Sequence, residues 1–236
     1  MPEQISLQLG PKAVDYRVAV YKGILGSVPI LGGLMAEVVG AVIPEQQNDR
    51  LRQFVEAIEA KIQDLDPKQV EARFQEPEFI DLLQESLTQA VRAVAQERIE
   101  HIAEIVHQSL SDQDRRYIHF KKLLYILKEL NDLEVLMLCM YGRRQDNDFW
   151  AQHGDTTQVV KPALGCAQAD MDNYLVQAAH RAHLVQLELL RPRFQKPKKG
   201  QLPEIDEKTG MVRVKGYDIA PLGRLLLRSI GEPDGF

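Results

Sequence analysis

The sequence predicts a mainly α-helical protein with a short β-hairpin near its C-terminus. Apolar residues recur at helical spacing through most of the first half of the chain, and prolines stand where successive helices would begin. Near the end, two short extended pieces at 211–214 and 217–219 precede a helix that Pro221 opens. We therefore expect a helical bundle over residues 1–130 and a second domain over residues 131–236.

The first half is expected to begin with helices at 13–25 and 30–43, on either side of Pro29. Proline lacks the backbone N–H that a helix interior needs, so Pro29 bends this apolar, glycine-rich stretch into a hairpin that spans residues 23–44. Further amphipathic helices are predicted at 46–65, from Pro67, at 77–110 and at 113–130. The residues expected to face the core include Leu51, Phe54, Val55, Ile58, Ile62, Leu83, Leu87, Val94, Ile105, Ile118 and Leu124.

The second half begins with a strongly apolar helix at 132–141, which Asn131 or Asp132 can cap. Residues 142–166 show no periodic pattern and are expected to be irregular. A helix is predicted at 169–190, and its expected inner face consists of Tyr174, Leu175, Ala178, Ala182, Val185 and Leu189.

A charged loop is expected after this helix. Lys215 and Gly216 then separate the two extended pieces, and a glycine suits a two-residue hairpin turn. The last helix is predicted from Pro221 to about residue 230, because proline presets the first helical turn.

This C-terminal pattern resembles the end of bacterial winged-helix domains. The segment LVQLELL ends a predicted helix, and a charged loop, a strand pair and the segment GYDIAPLGRLLLRSIG follow. In such domains a tyrosine, a Thr/Ala-Pro-Leu-Gly turn and an apolar helix close the fold. The resemblance is firmest over residues 215–231 and implies a winged-helix-like domain over residues 131–236. Residues 142–170 depart from it, since they lack a clear middle helix.

Composition and charge limit the classes of function. The formal net charge is −5, which excludes a general polyanion binder. Acidic residues dominate at 45–112, where fifteen face seven basic residues, and basic residues dominate at 171–236, where eleven face eight acidic ones. Two cysteines, Cys139 and Cys166, favour a reducing compartment. The N-terminus lacks a secretory pattern, so we expect a cytoplasmic protein that can act at the inner face of the cell membrane.

Residues 24–43 form a stretch of twenty residues with a single charge, Glu37. About 20 apolar residues are enough to span a bilayer. At helical spacing, Gly32, Ala36 and Gly40 form a stripe of small residues that lets membrane helices approach closely. The same stripe suits close packing inside a water-soluble bundle, so both interpretations stay open. In the membrane interpretation, several copies assemble on the stripe and Glu37 lines a pore.

The stretch KGILGSVPILGGLMAEVVGAVIPEQQNDRL resembles a group of uncharacterised bacterial proteins in which a small-residue-rich apolar helix ends in an Ile-Pro-x-Gln turn. Some of them are similar to effectors of anti-phage systems, including the channel-forming effector of the Hailong type. In that system a nucleotide oligomer made by a partner enzyme is thought to hold the effector silent. The resemblance implies a gated membrane effector, with an oligonucleotide as candidate ligand and a partner protein encoded nearby.

A basic cluster lies between the last long helix and the extended pieces. Five positive charges and one aromatic residue fall within residues 191–199, without an acid. Cations bind phosphates and an aromatic ring stacks on a base, so nucleic acid or an oligonucleotide is the candidate ligand; a solvated loop is the plainer interpretation. The candidate binding residues are Arg191, Arg193, Phe194, Lys196, Lys198 and Lys199, joined by Arg213 and Lys215.

Motifs for catalysis and metal binding are few. His180 and His183 lie three positions apart on one predicted helix, a spacing compatible with metal ligation, but no further ligand pair lies nearby in the sequence. A surface or partly buried pair is therefore the favoured interpretation, and no metal is predicted. The chain has no nucleophile elbow, no phosphate loop and no His-Glu-x-x-His motif, so we expect a non-enzyme without a cofactor.

These features favour a homo-oligomeric bacterial effector that forms a channel or pore in a membrane. A ligand or partner acting through the C-terminal domain would hold it silent. The alternative is a soluble winged-helix regulator or adaptor that binds DNA or protein, with the glycine-rich segment packed in its core.

Overall fold

The computed structural model describes residues 48–114, 116–144, 146–157, 163, 165–194, 197, 202, 204–205, 210 and 212–234. In these ranges it has nine helices and one two-stranded antiparallel sheet near the C-terminus, so the expected fold class is confirmed. The chain divides into two compact units, Met1–Tyr125 and Ile126–Phe236. The predicted helices at 13–25 and 30–43 lie outside the described residues.

The first unit contains five helices in its described part, and the last of them continues across the division between the units. They are α1 (Asn48–Lys61), α2 (Pro67–Arg73), α3 (Pro77–Ala90), α4 (Gln96–Ser111) and α5 (Tyr117–Glu129). Helices α1, α3 and α4 pack against one another. Their apolar stripes form a core in which each large side chain contributes ~1.5–3 kcal/mol by burial. Fully buried members are Leu51, Phe54, Val55, Ile58, Ile62, Phe79, Leu82, Leu83, Leu87 and Ile105.

The single helix predicted over 77–110 is wrong, because the chain leaves the helix after Ala90 and begins α4 at Gln96. The Arg50 guanidinium on α1 donates a hydrogen bond to the Val91 carbonyl oxygen at 3.1 Å, which satisfies an acceptor that the break leaves without a helical partner. Val94, expected in the core, is 88% exposed. No glycine or proline marks the break, so the local sequence gives no sign of it.

Two further features of the first unit concern single positions. Pro67 and Pro77 begin α2 and α3 as predicted, and Asp66 caps α2 by accepting a hydrogen bond from the Lys68 backbone N–H at 3.0 Å. Ile118, expected to face inward, is exposed, and its neighbour Tyr117 is buried instead. The Tyr117 hydroxyl donates a hydrogen bond at 2.7 Å to the carboxylate of Glu76, the residue before α3, and this contact accompanies the different rotation of α5.

The second unit is built around a central helix. Its elements are α6 (Asp132–Gly142), α7 (Asn147–Thr157), α8 (Gln168–Gln186), β1 (Leu190–Phe194), β2 (Val214–Ile219) and α9 (Pro221–Ser229). Helix α6 contacts α7, α8, α9 and β2. It is apolar on nearly all sides, which is typical of a helix surrounded by others. Asn131 caps it in a reciprocal arrangement with Glu134, as one of the two predicted caps.

The prediction that 142–166 is irregular is wrong for residues 147–157, which form α7. Asp146 begins this helix, since its carboxylate accepts a hydrogen bond from the Phe149 backbone N–H at 3.0 Å. The helix has few apolar residues, so its helical period is weak in the sequence. The described part of 142–166 therefore contains one helix, α7.

The helix predicted over 169–190 also differs. It ends at Gln186, and Glu188 adopts a left-handed backbone conformation with φ 59° before the chain enters β1. The expected inner face is wrong in part, because Leu175 is 55% exposed and Ala182 is exposed. Leu184, outside that expected face, is the buried residue of α8.

The strand pair differs in part from the prediction: residues 217–219 lie within β2, but the partner strand is β1 and not residues 211–214. Strand β1 falls within the expected charged loop and pairs antiparallel with β2, so that Arg193 lies opposite Gly216. The predicted turn at Lys215 and Gly216 is therefore wrong, because both residues lie inside β2. A Cβ at Gly216 would lie 3.1 Å from the Arg193 guanidinium, so the glycine makes room for an arginine. The helix that begins at Pro221 is confirmed.

Candidate anion-binding groove

A groove of about 730 Å³ opens in the second unit between α6, α7, α8 and the sheet. Ligand pockets in proteins commonly have 300–1,000 Å³, so the groove has the size of a small-ligand site. No acidic residue is among the described residues that line it. Its charged and aromatic lining residues are Arg144, Arg181, Arg193, Lys215, Tyr141, Trp150 and Tyr217.

Two arginines of the groove lie over aromatic rings. The Arg181 guanidinium carbon lies 4.5 Å from the centre of the Tyr217 ring, and that of Arg144 lies 5.6 Å from the centre of the Tyr141 ring. Such contacts are favourable by ~0.5–1 kcal/mol at exposed sites and orient the planar guanidinium. Burial raises the pKa of Tyr141, while Arg181 acts in the opposite direction, so the hydroxyl stays protonated at neutral pH.

One acid, Asp218 on β2, borders the groove. Its carboxylate lies 2.8 Å from Nη1 of Arg144 and 3.8 Å from Nη1 of Arg193. The Arg144 guanidinium also donates a hydrogen bond to the Tyr217 backbone carbonyl. Arg144 is therefore held from three sides, by an aromatic ring, a carbonyl and a carboxylate.

A second pocket of about 570 Å³ adjoins the groove and shares Tyr141 and Arg144 with it. Its other basic lining residues are Arg191, Arg224 and Arg228. Two of these contact Asp234: Arg224 donates to its backbone carbonyl at 2.5 Å, and Arg228 pairs with its carboxylate at 2.6 Å. The cationic surface of the second unit thus continues past the groove.

The structure brings together only some of the predicted binding residues. Arg193 and Lys215 line the groove, and Arg191 lines the adjoining pocket. Phe194 is half-exposed at the end of β1, and Arg213 is exposed and pairs with Glu204 at 3.4 Å; neither lines the groove. The predicted residues outside the described ranges are Lys196, Lys198 and Lys199, and also the proposed pore residues Gly32, Ala36, Glu37 and Gly40.

Sequence reasoning missed most of the groove. Tyr141 and Arg144 stand at the end of a helix that the sequence presents as core, and Trp150 lies within 142–166, which the sequence predicts to be irregular. Arg181 lies between His180 and His183 without a motif of its own. The pair Arg143-Arg144 directly after an apolar helix is a signal for Arg144 alone.

The two histidines lie beside a buried carboxylate. Nδ1 of His180 and Nδ1 of His183 lie 3.0 and 2.9 Å from the same oxygen of Glu134, whose side chain is 4% exposed. A carboxylate only accepts, so each Nδ1 carries the proton and donates. Burial alone raises the pKa of Glu134, but hydrogen bonds from the Asn131 backbone and both histidines bring it below its ordinary value. This cluster joins α6 to α8, the helices that carry Tyr141 and Arg181.

The described ranges contain neither a metal-site arrangement nor a helix that could cross a membrane. No group of three or more His, Cys, Asp or Glu in these ranges has the arrangement of a metal site. No helix in them is long and apolar enough to cross a membrane, and residues 24–43 lie outside them.

Comparison with protein-family models, curated proteins and solved structures gave no match in any of the three.

Proposed function

We propose that the second unit is a ligand-sensing domain whose groove binds a phosphorylated ligand with an aromatic ring, a nucleotide or an oligonucleotide. The observation that carries this proposal is the convergence of four cationic and three aromatic side chains on one groove without an acid among its described lining residues. Through this domain the ligand would restrain a membrane-acting effector.

The chemistry of the groove supports this ligand class. Arginine binds phosphate oxygens through two parallel N–H donors, and these charged hydrogen bonds are stronger than neutral ones. Tyr and Trp faces stack nucleobases, which contributes ~1–3 kcal/mol per base. In this groove Arg181 and Tyr217 are already in contact, so a cation and an aromatic face lie side by side. An apolar ligand would offer no anionic oxygen to these cations, of which Arg144 and Arg193 have Asp218 as their acidic neighbour.

The membrane part of the proposal rests on the sequence. Residues 24–43 contain one charge in twenty residues, and the stripe of Gly32, Ala36 and Gly40 suits assembly of copies. The resemblance to channel-forming anti-phage effectors points the same way. The oligomer, the membrane and a partner protein encoded nearby belong to this proposal.

Calorimetric titration tests the ligand class. The probes are inorganic phosphate, a mononucleotide and a 5′-phosphorylated single-stranded dinucleotide. We expect the dinucleotide to bind best and the affinity to fall with salt, because binding to phosphates releases counter-ions. Arg181→Gln should weaken binding about tenfold or more, as expected for a lost hydrogen bond to a charged group.

Arg213→Gln is the matched control, because it removes the same charge from the same unit outside the groove. An equal loss of affinity in both variants would mean that overall charge, and not the groove, binds the probe. Absence of binding to all three probes would refute the proposed ligand class.

A second candidate, a regulator or adaptor that binds DNA or protein, is favoured by one observation. Strand β1 carries Arg191, Arg193 and the half-exposed ring of Phe194 on a strand at the edge of the sheet. Titration with duplex DNA separates the two candidates. A duplex that binds more tightly than the dinucleotide, with a loss on Arg191→Glu, would favour the regulator.

A further inference from the structure

We infer that Asp218 is an internal counter-ion of the groove, which a phosphate group of the ligand displaces from Arg144 and Arg193. The inference rests on the function proposed above and adds what sets the affinity and selectivity of that site. Asp218 thereby acts as a specificity-determining residue that disfavours weakly charged ligands.

The first step is the position of the carboxylate. Asp218 lies opposite Arg191 in the β1–β2 register, 2.8 Å from Nη1 of Arg144 and 3.8 Å from Nη1 of Arg193. It also lines the pocket that adjoins the groove. A single acid therefore stands among three arginines, at the boundary between two cationic pockets.

The second step is the chemical similarity between the Asp218 carboxylate and a phosphate group of the ligand. A carboxylate and a phosphate both present oxygens to the same guanidinium fork. The arginines around Asp218 are thus already placed to hold anionic oxygens. Phosphate carries up to two negative charges where the carboxylate carries one, so it competes well for this position, whereas a monoanionic ligand does not.

The third step asks whether a ligand displaces Asp218 from the arginines or whether Asp218 is needed to hold Arg144 in place. If Asp218 served to hold Arg144 in place, its loss would disorder the groove. Arg144 has two other contacts, the Tyr141 ring and the Tyr217 carbonyl, which keep it in place without the carboxylate. Both Arg144 and Asp218 are partly exposed, and ion pairs of this kind exchange readily with water and with other anions.

The test is Asp218→Asn, titrated with the 5′-phosphorylated dinucleotide alongside the wild type. The variant keeps the shape of the side chain and removes the competing charge. We expect binding about twofold to fivefold tighter, the size of change typical of exposed charge pairs. The gain in affinity should be smaller for the same dinucleotide without its 5′-phosphate.

Asp170→Asn is the matched control. It removes one negative charge from the same unit at the start of α8, eleven residues before Arg181 and therefore about 16 Å along the helix. Its affinity should equal that of the wild type. In the double variant Arg144→Gln, Asp218→Asn, the gain should shrink, because the effect acts through Arg144.

Each outcome has one meaning. Equal or weaker binding by Asp218→Asn, with normal thermal unfolding, would overturn the inference. Weaker binding would in addition make Asp218 a residue that positions the arginines. If the wild type and every variant fail to bind, the proposed function itself fails. The wild-type titration, measured in the same series, tells these two results apart.

Discussion

At the scale of single residues, Glu134 shows how one buried carboxylate joins two helices. It closes the capping arrangement of α6 with Asn131 and accepts hydrogen bonds from His180 and His183 on α8. Because its folded-state pKa lies below the ordinary value of 4.5, the charged form stabilises the fold above that value. This contribution is lost as the pH falls through the folded-state pKa.

Glu134→Gln should therefore lower the free energy of unfolding at pH 7 by roughly 1–3 kcal/mol, because it leaves two donors poorly paired. The difference from the wild type should shrink as the pH falls below 4.5. Urea unfolding at several pH values measures both effects. Glu129→Gln, at an exposed position of α5, is the control and should have little effect. A loss that stays constant at every pH would contradict this role of the charge.

The cysteines give a second prediction for single residues. Cys139 is 4% exposed on α6, and burial raises the pKa of its thiol to about 12. The thiolate is the reactive form, so Cys139 should resist a thiol reagent at pH 8 in the folded protein. Cys166 is partly exposed and should react. We expect one labelled thiol in the native wild type, none in native Cys166→Ser, and two in the unfolded wild type. Rapid labelling of Cys139 in the native protein would contradict the burial of this residue on α6.

At the scale of elements, close packing of α9 on the preceding chain depends on glycine. A Cβ at Gly223 would overlap the backbone carbonyl oxygen of Leu189 and lie 3.0 Å from the Ile219 side chain. A backbone atom cannot move aside as a side chain can. The absence of a side chain at this position therefore allows the helix to lie against the start of β1.

Gly223→Ala should destabilise the second unit by about 1–3 kcal/mol, as overpacking does. Gly154→Ala in α7 is the matched change, because its Cβ would meet only the Trp150 ring at 3.7 Å, an ordinary contact. That variant should be stabilised by about 0.5–1 kcal/mol, since alanine favours a helix interior over glycine. Thermal or urea unfolding measures both. Equal effects of the two changes would show that helix preference alone, and not the contact with Leu189, determines the result.

The elements also show which predictions sequence can support. Helices with a strong apolar period, such as α1, and those begun by proline, such as α3 and α9, follow from local rules. The break after Ala90 does not, because the residue that pairs with the freed Val91 carbonyl is Arg50, which is 41 residues away in the sequence. Strand β1 does not follow from local rules either, because its pairing partner β2 lies beyond a long connection. Its arginines are also typical of a solvated loop.

The same reasoning applies to the candidate site. The sequence predicts Arg193 because it stands in the basic cluster at 191–199, and Lys215 because it joins that cluster from the expected strand pair. Tyr141, Arg181 and Tyr217 come from three separate elements, and only the packing of α6, α8 and β2 brings them together. Gly216 was interpreted as a turn residue, since sequence does not distinguish a glycine needed for a turn from one that makes room for a neighbouring arginine.

At the scale of the whole molecule, the proposed membrane activity has a direct test in dye release from liposomes. We expect the purified wild type to cause release. Gly32→Leu should abolish it because the larger side chain blocks the close approach of helices. Glu37→Lys should abolish it because it replaces the negative charge in the proposed pore with a positive one. Gly33→Leu is the matched control, since it adds the same side chain off the stripe. Dye release by Gly32→Leu equal to that of the wild type would refute the role of the small-residue stripe as an assembly surface.

Absence of dye release by the wild type would favour the alternative function, a regulator or adaptor that binds DNA or protein. In that case ligand titration and duplex-DNA titration of the second unit's groove decide what the chain recognises. Both experiments use the full chain, so the membrane and ligand parts of the proposal succeed or fail separately.

The chain contains a single tryptophan, and that residue lines the groove. Indole emission responds to the polarity of its surroundings and to stacked rings, so all of the tryptophan fluorescence of this protein comes from the groove for which we propose a nucleotide ligand. A change in emission on mixing would thus report occupancy without a dye or tag. The molecule therefore has a built-in optical readout, and a stopped-flow instrument could follow the arrival and departure of a ligand in real time.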